Sequence, residues 1–375
     1  MQERQNRITI PQQGEGEYSI HGYHTAPEEL REEFKTVIWE SLLNYPKDQL
    51  NQDPHKIPYP GQELVISGSF LSLSGSMGEQ FADPIWCEQK LLWLKEIGMD
   101  TLIIYTGWEK SAIYPSKLVD GIFGELDPLD TILQVSSRIG FRIYVGVPFM
   151  SSYWMVFSPD ELNDVVSSTE LRLQELKQRY GHYPAFAGWY IPYELCDAFV
   201  LHRPDLTKFV ARLAAICQGL LPDKPVMNAP YFRTTLPIPE FKELWNRILQ
   251  EANIQILAMQ DSVGVNGPFA EMRLAELGVY YAALSEVCEE NEVKFWTDLE
   301  LFDQEHGAPL DYEPWSAQAA TGERIIEQVE AQSQYVEKIV CFEFFHHLDP
   351  ERGLKQRESF ETYENWVSSI LKKTK

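Results

Sequence analysis

Short, wholly apolar runs alternate along this chain with longer stretches of helical periodicity. The runs begin near Leu64 (LVISGSF), Thr101 (TLIIYTGW), Phe141 (FRIYVGV), Ala185 (AFAGWYI), Pro225 (PVMNAPY), Gln255 (QILAMQD), Val293 (VKFWTDL) and Lys338 (KIVCFEFF). Each is rich in β-branched or aromatic residues. None shows the strict apolar–polar alternation of a strand with one wet face, so they read as strands covered on both sides. Helices are predicted between them at Pro84–Ile97, Pro128–Ile139, Pro159–Tyr180, Leu206–Leu220, Pro239–Ala252, Ala270–Glu289 and Ser316–Val336. Several open on Asp-Pro or Ser-Pro, a capping side chain followed by proline in the first turn. Strand starts lie roughly 30 to 45 residues apart, the length of a βα unit with a generous loop. Eight such units predict an α/β fold, a (β/α)8 TIM barrel, with residues 61–375 as a single catalytic-like domain.

Two other α/β folds are disfavoured. The glycines after the first strand, Gly68, Gly75 and Gly78, lack the G-x-G-x-x-G spacing of a dinucleotide site, and no P-loop is present. Residues 1–60 form a separate N-terminal extension. It is polar to about Tyr18, then carries an amphipathic helix predicted over Pro27–Leu43, with Phe34, Ile38, Trp39 and Leu42 on one face. That face needs a partner, either the barrel's exterior or bottom, or another chain through a regulatory or dimer contact.

Composition narrows the partners. The 375 residues carry a formal net charge of −24, which disfavours a phosphate-tracking nucleic-acid binder or a protein held to an anionic membrane. Cys87, Cys196, Cys217, Cys288 and Cys341 are scattered without a CxxC spacing, and read as buried thiols in a reducing compartment. The first residues lack the apolar core of a secretory signal, and no run of about 18 apolar residues occurs. The expectation is a soluble cytoplasmic protein, with its oligomeric state open.

The acidic residues carry the chemistry. In such a barrel, functional groups come from the carboxyl ends of the strands. Strand four ends in Glu194, strand six in Gln260 and Asp261, strand seven in Asp298 and Glu300, and strand eight in Glu343, followed by His346 and His347. Acids are costly to bury, yet here they appear just as apolar runs end. Alternation places Trp296, Asp298 and Glu300 on one face of strand seven, the face toward the barrel axis. Two carboxyl groups across a cleft suit glycosidic cleavage, one protonating the leaving oxygen while the other attacks the anomeric carbon or activates water. Tyr105, Trp108, Tyr190 and Trp296 offer flat faces for sugar rings, and Asn228, Gln260, Asp261 and Glu343 offer polar contacts. A metal centre at His346–His347 is disfavoured because adjacent histidines point apart on a strand. No cofactor is expected. Ser72, Ser74 and Ser76 lack the G-x-S-x-G elbow of a serine nucleophile.

The segments SGSFLSLSG, LKEIGMDTLIIYTGW, FAGWYIPYEL, MQDSVG and FWTDLELF are similar to the glycosidase-like TIM-barrel family known as domain of unknown function 4434, from about Glu63 to the end. That family resembles retaining glycoside hydrolases with acids on strands four and seven. The resemblance implies Glu194 as acid/base and Glu300 or Asp298 as nucleophile. One departure stands out: the Asn-Glu pair of those hydrolases is Tyr193-Glu194 here. The expectation is a glycoside hydrolase acting on a carbohydrate. The alternative is a non-catalytic carbohydrate-binding protein on a glycosidase-like barrel.

Overall fold

A computed structural model describes residues 64–150, 159–233, 236–307 and 313–373. The helix expected over Pro27–Leu43 lies outside the described residues. Eight parallel strands close into a barrel in chain order, each paired with the next and the last with the first. They are β1 (Ile66–Leu71), β2 (Thr101–Ile104), β3 (Arg142–Gly146), β4 (Phe186–Ile191), β5 (Val226–Asn228), β6 (Ile256–Gln260), β7 (Lys294–Glu300) and β8 (Lys338–Phe342).

Period-two alternation sorts the side chains. Phe70, Ile103, Tyr144, Tyr190, Met227, Trp296 and Val340 fill the interior. Phe295, Leu299, Ile339 and Cys341 belong to the larger core beneath the helices. Full burial of each such side chain stabilises by about 1.5–3 kcal/mol, so both faces of the sheet carry the fold. Gly68 on β1 marks a close approach: a Cβ there would lie 2.9 Å from Val340 Cγ1 of β8, where the barrel closes.

The helices start where the caps predict. Asp83 accepts from Ile85 N at 2.9 Å ahead of Pro84–Glu96, and Asp127 accepts from Asp130 N at 3.0 Å ahead of Pro128–Ile139. Gly140 ends the second of these in the left-handed conformation, φ 76°. The segment expected as one helix over Ser316–Val336 differs. Ser316–Ala319 is a strand paired antiparallel with Phe302–His306, and the helix is Gly322–Ser333, capped by Thr321. The run Ser-Ala-Gln-Ala suits either state, and a hairpin partner decides it. Smaller elements lie beyond the regular pattern. These include a three-stranded sheet after β2 (Gly107–Trp108, Ser111–Ala112, Asp120–Gly121) and the helices Gly75–Phe81 and Leu354–Lys373. The last of these brings Tyr363, whose hydroxyl accepts from Ile66 N at 2.8 Å. The five cysteines are free and buried. No helix among the described residues is long and apolar enough to cross a membrane.

Candidate active site at the carboxyl ends of the strands

The end of β4 is held by its neighbour. Pro192 interrupts the strand, and Asn228 at the end of β5 donates its amide to the carbonyls of Ile191 and Tyr193, each at 2.9 Å. Two carbonyl acceptors fix the amide orientation. Tyr193 is buried in the outer core. Its hydroxyl donates to Pro148 O at 3.1 Å and accepts from Met150 N at 3.2 Å, and its ring packs on Phe149 and Phe209. Glu194 follows and retains partial access to solvent. Burial pushes its carboxyl up to about 7, and a hydrogen bond from Gln260 partly opposes that rise.

Gln260 links this acid to β7. The β4–β5 pairing runs in register to Ile191 and Asn228 and then slips, Tyr231 bridging Cys196. On the other side Gln260 pairs directly with Asp298. Gln260 also donates to Ala229 O at 2.8 Å, which fixes the amide that bonds Glu194. Asp298 is 2% exposed, and its Oδ1 has no hydrogen-bond partner among the described residues. Burial pushes this carboxyl well above the usual range, and the charges of Glu300, Asp261, Glu194 and Glu343 push it further. Asp298 is thus the point on which the strand-end acids converge.

The other acids are tied more firmly. Glu300 Oε2 accepts from Val265 N at 2.7 Å. Burial and then Asp261 push Glu300 up to about 8. Gly264 is required beside it, because a Cβ there would sit 2.3 Å from Phe302 O and 3.0 Å from Glu300 Oε2. Asp261 is fully buried. Its Oδ1 accepts from Val263 N at 3.1 Å, and its Oδ2 from Gln328 at 2.6 Å and Gln332 at 2.9 Å. Its own N–H donates to Asp298 O at 3.0 Å, so it braces the ends of β6 and β7.

Glu343 lies just beyond β8 in the left-handed region, φ 53°, which is costly for a residue with a Cβ. It is fully buried, accepting from Ser72 Oγ at 2.5 Å and facing His346 Nδ1 at 3.0 Å. Burial pushes its carboxyl up, but the hydrogen bond and charge of His346, then Ser72, bring it below the ordinary value. Tyr105 and Tyr190 stand between the acids, their hydroxyls 3.4 Å apart and their rings edge-to-face. Burial raises both phenols. The charges of Glu194 and Glu343 act on both, and that of Asp298 also acts on Tyr190.

One aromatic expectation falls elsewhere. Trp296 sits deep in the barrel, edge-on to Tyr144 and 5.6 Å from Lys338 Nζ. Lys338 starts β8 and pairs with Asp100 at the amino end of β2, so Trp296 plugs the floor below Asp298 rather than lining the mouth. Trp108 is half-buried on the rim sheet, packed against the outer core, with its carbonyl accepting from Arg172. From sequence, Ser72 and His346 are weighed only as a nucleophile and a metal ligand, whereas both bond Glu343, and Gln328 and Gln332 are missed. The i,i+3 spacing of Glu343 and His346 is the one local signal that could have found any of them. Among the described residues, no group of three or more His, Cys, Asp or Glu is arranged to hold a metal ion.

The fold and its mouth define a closed (β/α)8 barrel with an acid-lined site at the carboxyl ends of its strands. The chain belongs to the family described as Domain of unknown function (DUF4434), whose sequence pattern matches residues 66–353. Among solved structures it is similar to a candidate alpha-L-fucosidase from Bacteroides thetaiotaomicron VPI-5482, at 18% identity and TM-score 0.65, covering 85% of this chain and 98% of that one. It is also similar to an endo-1,4-beta-D-mannanase from Thermotoga petrophila RKU-1, at 12% identity and TM-score 0.50, covering 75% and 88% of the two chains. A third is an exo-beta-1,4-mannosidase from Opitutaceae bacterium strain TAV5, at 13% identity and TM-score 0.50, covering 82% and 60%. At these identities the likeness establishes the fold. No curated protein matches the sequence.

Proposed function

We propose that the mouth cleaves a glycosidic bond, with Glu194 as the proton donor and Asp298 as the second carboxylate. The observation that carries this reading is the place of Gln260, whose amide bonds Glu194 beyond β4 and which pairs along the strands with Asp298 on β7. A proton donor works best when its carboxyl titrates near the working pH, and burial brings Glu194 to about 7. Asp298 is favoured over Glu300 as its partner because Asp298 feels the charge of Glu194 and keeps an unengaged oxygen, whereas Glu300 is turned to Val265 N. Asp261 and Asn228 position these acids, Asp261 through the backbone of Asp298 and Asn228 through that of Tyr193. Barrels of similar fold bear names of enzymes that act on fucosides, mannans and mannosides, which supports a carbohydrate as substrate.

One observation favours a binding-only scaffold. Tyr193, preceding the acid, is turned into the outer core and offers nothing to a sugar. Turnover of a panel of α- and β-aryl glycosides by the native chain and by Asp298→Asn separates the readings. Cleavage by the native chain, with kcat lowered at least about a hundredfold in the variant, is expected. A panel that is bound but never cleaved moves the assignment to the scaffold.

A further inference from the structure

The described chain begins at the foot of a helix. Val65, one residue before β1, sits beside Gly98, just past the end of Pro84–Glu96; a Cβ on Gly98 would lie 2.9 Å from Val65 Cγ2. The chain therefore enters the barrel floor where that helix ends. The outward side of the same helix is apolar. Ile85 and Leu92 are 68% and 44% exposed, and their spacing of seven residues sets them on one stripe, two turns apart. Cys87, Leu91 and Leu94 take the core side. Trp86 and Trp93 border the stripe half-buried, Trp93 packing on Phe360 of the helix Leu354–Lys373 with 5.5 Å between ring centroids. Exposed aliphatics are common singly, but a strip of four large apolar side chains suits a second apolar stripe laid along it.

The sequence supplies such a stripe. The segment expected to be helical over Pro27–Leu43 carries Phe34, Ile38, Trp39 and Leu42 on one face. As a helix it would be about 25 Å long, against about 20 Å for Pro84–Glu96. Between Leu43 and Leu64 stand 20 residues, with prolines at Pro46, Pro54, Pro58 and Pro60. A connection of that length typically spans about 25 Å or more, enough to lay the segment back along the helix at whose foot the chain enters. Tethering holds it there at an effective concentration on the order of millimolar, which a second copy of the chain would have to match. We propose that Pro27–Leu43 docks on the outward face of Pro84–Glu96 of its own chain, with Phe34, Ile38 and Leu42 against Ile85 and Leu92.

The place gives the contact a role. Pro84–Glu96 follows β1 and Leu354–Lys373 follows β8, so these helices flank the seam at which the barrel closes. Lys90 reaches across that seam to Asp349 at 2.9 Å and Glu351 at 3.2 Å, as Trp93 does to Phe360. Laid along the first of these helices, the segment straps the seam from outside.

The test is limited trypsin digestion of the full chain, followed by mass spectrometry. Arg31 and Lys35 lie inside the segment, and Arg7 and Lys47 flank it. In the native chain, cleavage after Arg31 and Lys35 should lag that after the flanking sites by at least about tenfold. Leu92→Glu, at an exposed position of the strip, and Phe34→Asp, in the segment itself, should each abolish the lag. Leu171→Glu, at an exposed position of Pro159–Tyr180, should leave it in place. Phe34→Asp alters no residue of the barrel, so its result stands even where Leu92→Glu fails to fold. The five native cysteines are buried, so Ile38→Cys can be paired with Ile85→Cys and, separately, with Leu92→Cys. At least one pair should form a disulfide within a single chain. Disulfide-linked dimers would make a second copy the occupant and overturn the proposal. No cross-link from either pair, cleavage of the segment as fast as its flanks, or a lag that survives Phe34→Asp would overturn it as well. None of these readouts uses turnover, so the outcome stands apart from the glycosidase reading.

Discussion

Glu194 owes its state to two residues that are far from it in sequence. Burial raises its carboxyl, while Gln260, fixed by Ala229 O, lowers it by a hydrogen bond. Gln260→Ala removes the lowering contribution, so the carboxyl should titrate higher. The alkaline limb of the kcat/KM profile, which reports loss of the donor's proton, should then move to higher pH. An unchanged limb would mean that another group donates the proton. Glu194 was legible in the sequence because it is an acid standing where an apolar run ends. The same logic found Asp298, Glu300 and Glu343. It did not find Ser72, which reaches Glu343 only once the barrel closes and brings β1 beside β8, or His346, which a single helical turn after β8 carries back to Glu343. It also misplaced Trp296. A strand-end aromatic and a floor aromatic differ by two residues along one face, and only the pairing with Lys338 reveals its depth.

Among the elements, the helix Gly322–Ser333 does more than cover the barrel. Gln328 and Gln332 bond Asp261 on the helix-facing side of the barrel, and Gln332 Oε1 also accepts from Thr297 Oγ1 on β7. A buried carboxylate that loses one of its donors is left under-satisfied, at a cost of about 1–3 kcal/mol. Gln332→Leu should therefore lower the midpoint of urea unfolding by a corresponding amount, read by circular dichroism. A midpoint unchanged from the native chain would show that Asp261 does not depend on this helix. Strand positions and most helices followed from apolar runs and proline-capped starts, because those signals are local. The hairpin of Phe302–His306 with Ser316–Ala319 was not legible, since its strands gain stability only from each other. The rim sheet after β2 escaped for the same reason.

Across the whole molecule, the acid-lined mouth ties stability to pH. Glu194 and Glu300 titrate in the folded chain near 7 and 8, and Asp298 well above the ordinary range. A carboxyl raised on folding contributes stability that is fully present below its unfolded value and is lost as pH rises through the folded one. His347 moves in the opposite sense: burial lowers it to about 4, so its contribution is present above about 6.5 and lost as pH falls through 4. The melting temperature should therefore decline from pH 6 to pH 9. Asp298→Asn, which removes the most strongly raised acid and one charge from its neighbours, should flatten that decline. An equal slope in both chains would show that the mouth is not the source.

The central claim, that Glu194 gives the proton, is tested most directly by leaving-group dependence. Turnover of matched aryl glycosides with good and poor leaving groups is measured for the native chain and Glu194→Gln. Poor leaving groups need protonation and should lose about 10²–10⁴-fold in the variant, while dinitrophenyl glycosides should lose little in the cleavage step. Undiminished turnover of the poor leaving groups by Glu194→Gln would contradict the account.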